Sequence, residues 1–202
     1  MLGVLKAIHG RTTFNRRARI LADRFVSIIP SGQTILDVGC GDGTIDSLIQ
    51  TERTDLVISG IDILKRLNSK ISVTMFDGEN IPFENNSFDF AMFINVLHHT
   101  EDPLKLLREA LRVARKGIII KDHIVKGFLA WPTLRAMDWV GNAPYGVVLP
   151  YNYLSEDEWQ SAFKTLGLKV EFFRTDLELY LQPFSFFFDR QLHFISVLFK
   201  TD

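Results

Sequence analysis

The sequence predicts an α/β protein organised around a mostly parallel β-sheet. Three observations predict it. Short, near-continuous apolar runs alternate with helix-periodic segments over the first 120 residues. The runs lack polar alternation, as in strands covered on both faces. The last two runs have no convincing helix between them, so that pair must be antiparallel.

In order along the chain, residues 12–29 place Phe14, Ala18, Ile20, Leu21, Phe25 and Ile28 at helical spacing, and Pro30-Ser31-Gly32 stops that helix. Residues 34–38 form a buried strand that runs into Asp37-Val38-Gly39-Cys40-Gly41-Asp42-Gly43, after which Thr44 opens a helix. Residues 56–61, 71–76 and 88–94 are the next strands, ending on Asp62, Asp77 and Asn95. Polar residues at the carboxyl ends of parallel strands mark the ligand crevice of an open sheet. Asp102 and Pro103 supply an N-cap and a first helical residue, and residues 117–122 form a fifth strand. Residues 127–140 read as an inserted aromatic helix. Ser155 and Glu158 have capping-box spacing for a helix ending near Gly167, and strands follow at 168–174 and 191–200. Trp131 and Trp139 are expected to anchor the inserted helix, and Pro183-Phe184-Ser185-Phe186-Phe187-Phe188 to turn into the last strand, packed on the sheet.

A chain of 202 residues fits one domain, and a net charge of −1 provides no basic face for nucleic acid. The single Cys40 excludes an internal disulfide framework and suits a reducing compartment. Lys6 interrupts the short apolar start, which makes a poor signal peptide, so a cytoplasmic location is expected. Membrane contact stays open.

Gly39, Gly41 and Gly43 lie between a buried strand and a helix N-terminus, where glycine permits a tight turn and close ligand approach. The loop carries Asp37 and Asp42 and no basic residue. That charge repels a pyrophosphate and suits a cationic ligand, although Asp42 reads equally well as a helix cap. Asp62, about 20 residues past the loop, is placed to accept hydrogen bonds from ribose hydroxyls.

Ile35-Leu36-Asp37-Val38-Gly39-Cys40-Gly41-Asp42-Gly43 closely resembles the first motif of class I S-adenosylmethionine-dependent methyltransferases. Asp77-Gly78-Glu79-Asn80-Ile81-Pro82-Phe83, followed by Ser87-Phe88-Asp89, resembles that family's third- and fourth-strand signature. Asn95-Val96-Leu97-His98-His99-Thr100-Glu101-Asp102-Pro103 resembles the segment after the fourth strand in its small-molecule, "type 11"-like branch. The resemblance covers residues 30–125. It implies a Rossmann-like three-layer sandwich whose seven-stranded sheet has an antiparallel last strand.

It further implies S-adenosylmethionine as cofactor and S-adenosylhomocysteine as product. Asp37, Gly39 and Gly41 would flank the methionine part, with Asp42 beside them; Asp62 would hold the ribose and Ile63 pack on the adenine. Asp77 and the Gly78 N–H would read the adenine, and Asn95 and Val96 would sit near the sulfonium. Residues 64–70 are short for the helix usual there.

His98, His99 and His123 follow the fourth and fifth strands, facing the crevice, and are candidate general bases set against a packing role. His9 and His193 read as structural or surface residues. No metal site is expected, because His98 and His99 are adjacent and no Cys/His/Asp grouping shows ligand spacing. Arg11, Arg16, Arg17 and Arg19 read as a solvated face or as a clamp on an anionic group.

The whole chain, 1–202, is expected to be one methyltransferase domain with an N-terminal helical lid at 1–30 and a substrate cap at 123–155. Tyr145, Tyr151 and Tyr153 are the candidate acceptor-pocket residues. The expected function is methyl transfer to a small-molecule or lipid-like acceptor, apolar or aromatic, with no nucleic-acid partner. The alternatives are a non-catalytic cofactor-binding module and a nicotinamide-dependent oxidoreductase. The acidic loop, Thr44 and the terminal antiparallel pair weigh against the latter.

Overall fold

Seven strands form one sheet in the order β3-β2-β1-β4-β5-β7-β6. The coordinates are a computed structural model describing residues 2–64, 66–142 and 149–201, with side chains from residue 14 onward except within 141–148 and at 65. The strands are β1 (Thr34–Val38), β2 (Val57–Asp62), β3 (Val73–Met75), β4 (Phe88–Ile94), β5 (Ala114–His123), β6 (Leu168–Arg174) and β7 (His193–Lys200). Neighbours from β3 through β5 pair in parallel, and β7 runs antiparallel to both β5 and β6. The expected seven-stranded sheet with its antiparallel last strand is therefore the observed one.

Successive strand residues point to opposite faces, so each apolar run serves two cores. Ile35, Ile58, Phe90, Met92 and Ile119 pack with Leu21 and Phe25 of α1 (Leu2–Ile28) and Ile49 of α2 (Thr44–Glu52). Leu36, Ile61, Ala91, Phe93, Ile118 and Ile120 pack on the other side. Their partners are Leu106, Leu107 and Ala110 of α3 (Pro103–Val113), and Trp159 and Phe163 of α5 (Glu156–Thr165). The three layers follow directly. Asp102 caps α3 by accepting from Lys105 N at 2.9 Å, with Pro103 in the first turn, and Ser155 and Glu158 form the expected capping box.

The strand order turns back between β1 and β4, which leaves a crevice above their carboxyl ends. α1, α4 (Ala130–Asn142) and the chain before β7 surround that crevice.

Several elements differ from expectation. Helix α1 starts at Leu2 rather than near residue 12. β3 has three residues rather than six, since this edge strand pairs only with Gly60, Ile61 and Asp62. β5 begins at Ala114, which leaves α3 directly in extended conformation and pairs with Phe88. Residues 184–188 form a short helix, α6, with Phe184, Phe186 and Phe187 exposed rather than packed on the sheet. Trp131 and Trp139 are exposed as well, and the inserted helix is anchored instead by Ala130 and Leu134 against Tyr153 and Leu192.

Gly117 is fixed by the β5–β7 pairing: a Cβ there would lie 1.9 Å from the Leu198 carbonyl oxygen. Gly127 has open space but a φ of +80°, a left-handed backbone that costs an L-residue about 1–2 kcal/mol. Denaturant unfolding should show Gly117→Ala destabilised by about 3 kcal/mol or more and Gly127→Ala by about 1–2 kcal/mol. Equal effects would contradict the backbone clash.

Candidate functional site

The glycine loop is built by backbone bonds to the next strand. Gly39 N and Cys40 N both donate to Ile61 O, at 2.8 and 3.1 Å. Gly39 has φ +80°, and a Cβ on it would lie 2.6 Å from Val96 Cγ2, so strand-end β1 and the exit of β4 meet there without a side chain. Gly41, at φ +61°, has nothing within 4 Å of its absent Cβ, which leaves the loop open to a ligand.

Asp62 accepts from Gly41 N through one oxygen and from Leu64 N through the other, each at 2.8 Å. Each oxygen retains a lone pair for a hydroxyl donor. Asp77 accepts from Glu79 N and Asn80 N at 2.8 and 2.6 Å and from the Asn80 side chain at 2.7 Å. Those bonds hold its carboxyl at about 2, in an exposed turn. Ile63 is exposed beside Gly78. Asp42 accepts from Thr44 N at 3.1 Å, but the N-cap position of α2 is taken by Gly43 rather than by Asp42.

Beneath the loop sits a carboxyl pair, Asp37 of β1 and Asp46 in the first turn of α2. Each is 1% exposed, and each has one oxygen with no hydrogen-bond partner. Burial first, then the Asp46 charge, holds Asp37 well above the usual carboxylate range, and burial lifts Asp46 to about 6. Burial and the same acids push the Cys40 thiol up, which makes it a poor nucleophile. Two buried, under-bonded acids at an open glycine loop fit a ligand carrying positive charge. S-adenosylmethionine, with its sulfonium and ammonium, meets that condition.

The second half of the site lies at the ends of β4 and β5. Asp122, fully buried, accepts from Leu97 N at 2.9 Å, from His123 N at 2.7 Å and bonds His98 Nδ1 at 2.5 Å. These bonds fold residues 97–99 into a single 3₁₀ turn. On the far side of His98, Nε2 lies 3.3 Å from Asp138 of α4 without hydrogen-bond alignment. The Tyr153 hydroxyl donates to that same Asp138 oxygen.

Burial alone would lower His98, but Asp122 and Asp138 outweigh it and raise it to about 9. Burial and the His98 charge push His99 down to about 4, and the same causes hold His123 well below the usual range. Lys121, buried between Asn95 and His193, is lowered to about 7 by burial and by Arg17. His193 bonds Lys121 Nζ and the Phe188 carbonyl, a structural role.

A cleft of about 210 Å³ opens onto this cluster. Asn95, His98, His99, His123 and Asp138 form its floor, with Ile45, Arg17, Phe14, Met137 and Tyr180 around them. The structure thus brings Asn95 and the three crevice histidines together next to the glycine loop. Tyr151 and Tyr153 do not line the cleft, although the Tyr153 ring stacks on His98 at 5.6 Å. Tyr153 supports Asp138 from behind, Tyr151 packs beside Tyr153 under Arg135, and Tyr145 lies outside the described residues.

Sequence reasoning missed Asp46, Asp138, Met137 and Tyr180. Only Asp46 carried a signal, an acid in the first turn after the loop. Of the basic cluster, Arg17 reaches the cleft and lies 4.8 Å over the Tyr180 ring, whereas Arg16 bonds Leu179 O and Arg19 is exposed. In the fold His98, His99 and Asp138 also present donor atoms within 4.8 Å of one another, a proximity that linear spacing does not show.

A family described as methyltransferase domain matches residues 9–171. The 27-O-demethylrifamycin SV methyltransferase of Amycolatopsis mediterranei is 26% identical over 183 residues, 81% of this chain and 64% of that protein. The tRNA (carboxymethyluridine(34)-5-O)-methyltransferase of Saccharomyces cerevisiae is 30% identical over 106 residues, 48% of this chain and 37% of that protein. This chain therefore spans less than two thirds of either relative. An S-adenosylmethionine-dependent methyltransferase structure from Mesorhizobium loti superposes with a TM-score of 0.63 at 17% identity, covering 86% of this chain and 94% of that one. It shares the fold.

The carboxyl pair yields a signed prediction. Folded-state values raised above the unfolded carboxylate value mean that the native state binds the proton more tightly. That stabilisation is fully present below about pH 4 and is lost as pH rises through about 6. Asp46→Asn removes the penalty, so it should stabilise the ligand-free protein by about 1–3 kcal/mol at pH 7–8, an advantage that fades towards pH 4. Urea unfolding of both proteins across that range measures it. A pH-independent difference would contradict the buried pair.

Proposed function

The chain belongs to the methyltransferase-domain family, and on that premise we propose that it transfers a methyl group to a small organic acceptor bound in the 210 Å³ cleft. S-adenosylmethionine is the cofactor of the family, and when bound it supplies a methyl group already activated on a sulfonium. One observation carries the reading: Asn95 and Ile45 line the cleft and also border the glycine loop, so cofactor and acceptor sites share a wall.

In this reading Asp37, Asp46, Gly39 and Gly41 receive the charged methionine end, with Asp42 at the rim. Asp62 accepts from the ribose hydroxyls, using the lone pairs that Gly41 N and Leu64 N leave available. Ile63, Gly78 and Asp77 border the adenine, and Asn95 and Val96 lie beneath the reacting centre. His99 presents an unpartnered Nδ1, kept neutral by burial and the His98 charge, to accept the acceptor's proton. His98 is positioned by Asp122, and His123 backs Asp138 at 3.7 Å. Helix α1 acts as a lid through Phe14, Arg17 and Leu21, and α4 caps the cleft through Met137 and Asp138.

The cleft is too small for a folded nucleic acid but takes a single ring system or a flipped base. Apolar Phe14, Leu21 and Met137 beside the imidazoles suit an apolar or aromatic acceptor carrying one ionisable hydroxyl or amine. No helix among the described residues is long and apolar enough to cross a membrane.

Calorimetry should show S-adenosylhomocysteine binding, weakened about 10- to 100-fold in Asp62→Ala, the scale of charged hydrogen bonds. Unchanged binding in the variant would refute that role. Incubating the protein with methyl-labelled cofactor and cell extract should then label a small molecule. Label confined to the RNA fraction would replace this acceptor class. With the acceptor in hand, His99→Gln should lower kcat by about 100-fold while leaving S-adenosylhomocysteine affinity unchanged.

A further inference from the structure

The histidine cluster gathers more donor atoms than a single proton transfer uses. Three buried imidazole nitrogens, His98 Nε2, His99 Nδ1 and His123 Nδ1, have no hydrogen-bond partner, and two of them belong to residues grouped with Asp138. His98, His99 and Asp138 each present a donor atom within 4.8 Å of the others. We propose that these three residues form a binding site for a divalent transition-metal ion, with the cleft side left open for solvent or an acceptor oxygen.

The geometry favours this set over the neighbouring group of His98, Asp122 and His123. In that group His98 would have to use Nδ1, which Asp122 already holds at 2.5 Å. The same bond is what a metal-ligating histidine needs on its far nitrogen: a buried carboxylate fixes the ring and directs Nε2 at the ion. The carboxylate donor is supported in the same way, since Tyr153 donates to Asp138 from behind. His98 Nε2 and Asp138 lie 3.3 Å apart. Donor atoms at about 2.0–2.2 Å from one ion are separated by roughly 3.0–3.5 Å, so little movement is needed there.

The donor set decides the class of ion. Two imidazoles and one carboxylate suit zinc, cobalt, nickel or iron(II), whereas magnesium and calcium demand oxygen ligands. An ion at this place would face the acceptor and polarise its hydroxyl. This goes beyond the methyl-transfer reading and stands without it, because metal alone is the probe.

Chelator-stripped protein is titrated with cobalt(II) chloride, followed by visible absorption, and then with zinc(II) in competition. One equivalent should bind with ligand-field bands, and zinc should displace it. His99→Gln and Asp138→Asn should each weaken binding about 100-fold or more, and Tyr153→Phe about 10- to 100-fold. Asp77→Asn, remote in the adenine wall, should leave binding unchanged. The idea is overturned by the absence of one-equivalent binding, by equal affinity in the ligand variants, or by preference for magnesium. Should a variant fail to fold, the unaltered protein still decides the matter. Zinc must protect His98 and His99 from carbethoxylation by diethyl pyrocarbonate, and modification undiminished by zinc overturns the proposal.

Discussion

The candidate site depends on one buried carboxylate. Asp122 ends β5, and its two oxygens take three bonds, from Leu97 N, His123 N and the His98 ring. A buried carboxylate is costly unless its lone pairs are used, and these bonds use them. They also tie the exits of two neighbouring parallel strands together. The tie braces the 3₁₀ turn that displays His98 and His99, which is closed by His99 N donating to Val96 O and Thr100 N to Leu97 O. The position of Asn95 follows from the same junction, since its N–H donates to Lys121 O next to Asp122.

The two halves of the crevice are electrostatically unlike, and the sheet explains why. Around the glycine loop, Asp37, Asp42, Asp46 and Asp62 gather, and the Asp46 and Asp62 charges add to burial in raising Asp37. On the proposed reading a bound cation would relieve that repulsion, so loss of Asp46 would help the empty protein and harm the occupied one. Towards β5 and β7 the charges alternate instead: Arg17, Lys121 and His98 face Asp122, Asp138 and Asp189.

What was legible in the sequence was whatever local physics decides. Apolar runs long enough to be covered on both faces became β1, β2, β4 and β5. Asp102 and Ser155 capped the helices they precede, because a cap needs only its own backbone. The placement of the glycine loop after β1, of Asp62 at the end of β2 and of Asp77 just past β3 was readable because it follows from where each apolar run stops. Errors arose where a partner decides. β3 is short because it has one neighbour, which an apolar run of six cannot reveal. Ala114 continued the helical pattern, yet the pairing with Phe88 drew it into β5. Trp131 and Trp139 were read as anchors from their size, but on α4 the inward face is held by Ala130 and Leu134.

The same reasoning explains why His98, His99, His123 and Tyr153 were named singly while their assembly around Asp122 and Asp138 was not legible. His98 and His99 come from the turn after β4, Asp122 and His123 from β5, Asp138 from α4, and Tyr153 from the approach to α5. No spacing rule links residues 98, 122, 138 and 153, since ligand spacing in sequence exists only when one loop or one helix carries several donors. Here a separate element carries each role, and the sheet sets the distances. The adjacent histidines at a strand exit could therefore be read as general bases or as packing, but not as members of one cluster with Asp122 and Asp138. Asp138 drew no reading from the sequence, because nothing local requires it to be buried. Its burial follows from α4 lying across the carboxyl ends of β4 and β5, which is where an open parallel sheet has unfilled space. The insertion that closes that space therefore also completes the chemistry, and a chain with the same strands but a different segment after β5 would keep the glycine loop and lose this cluster.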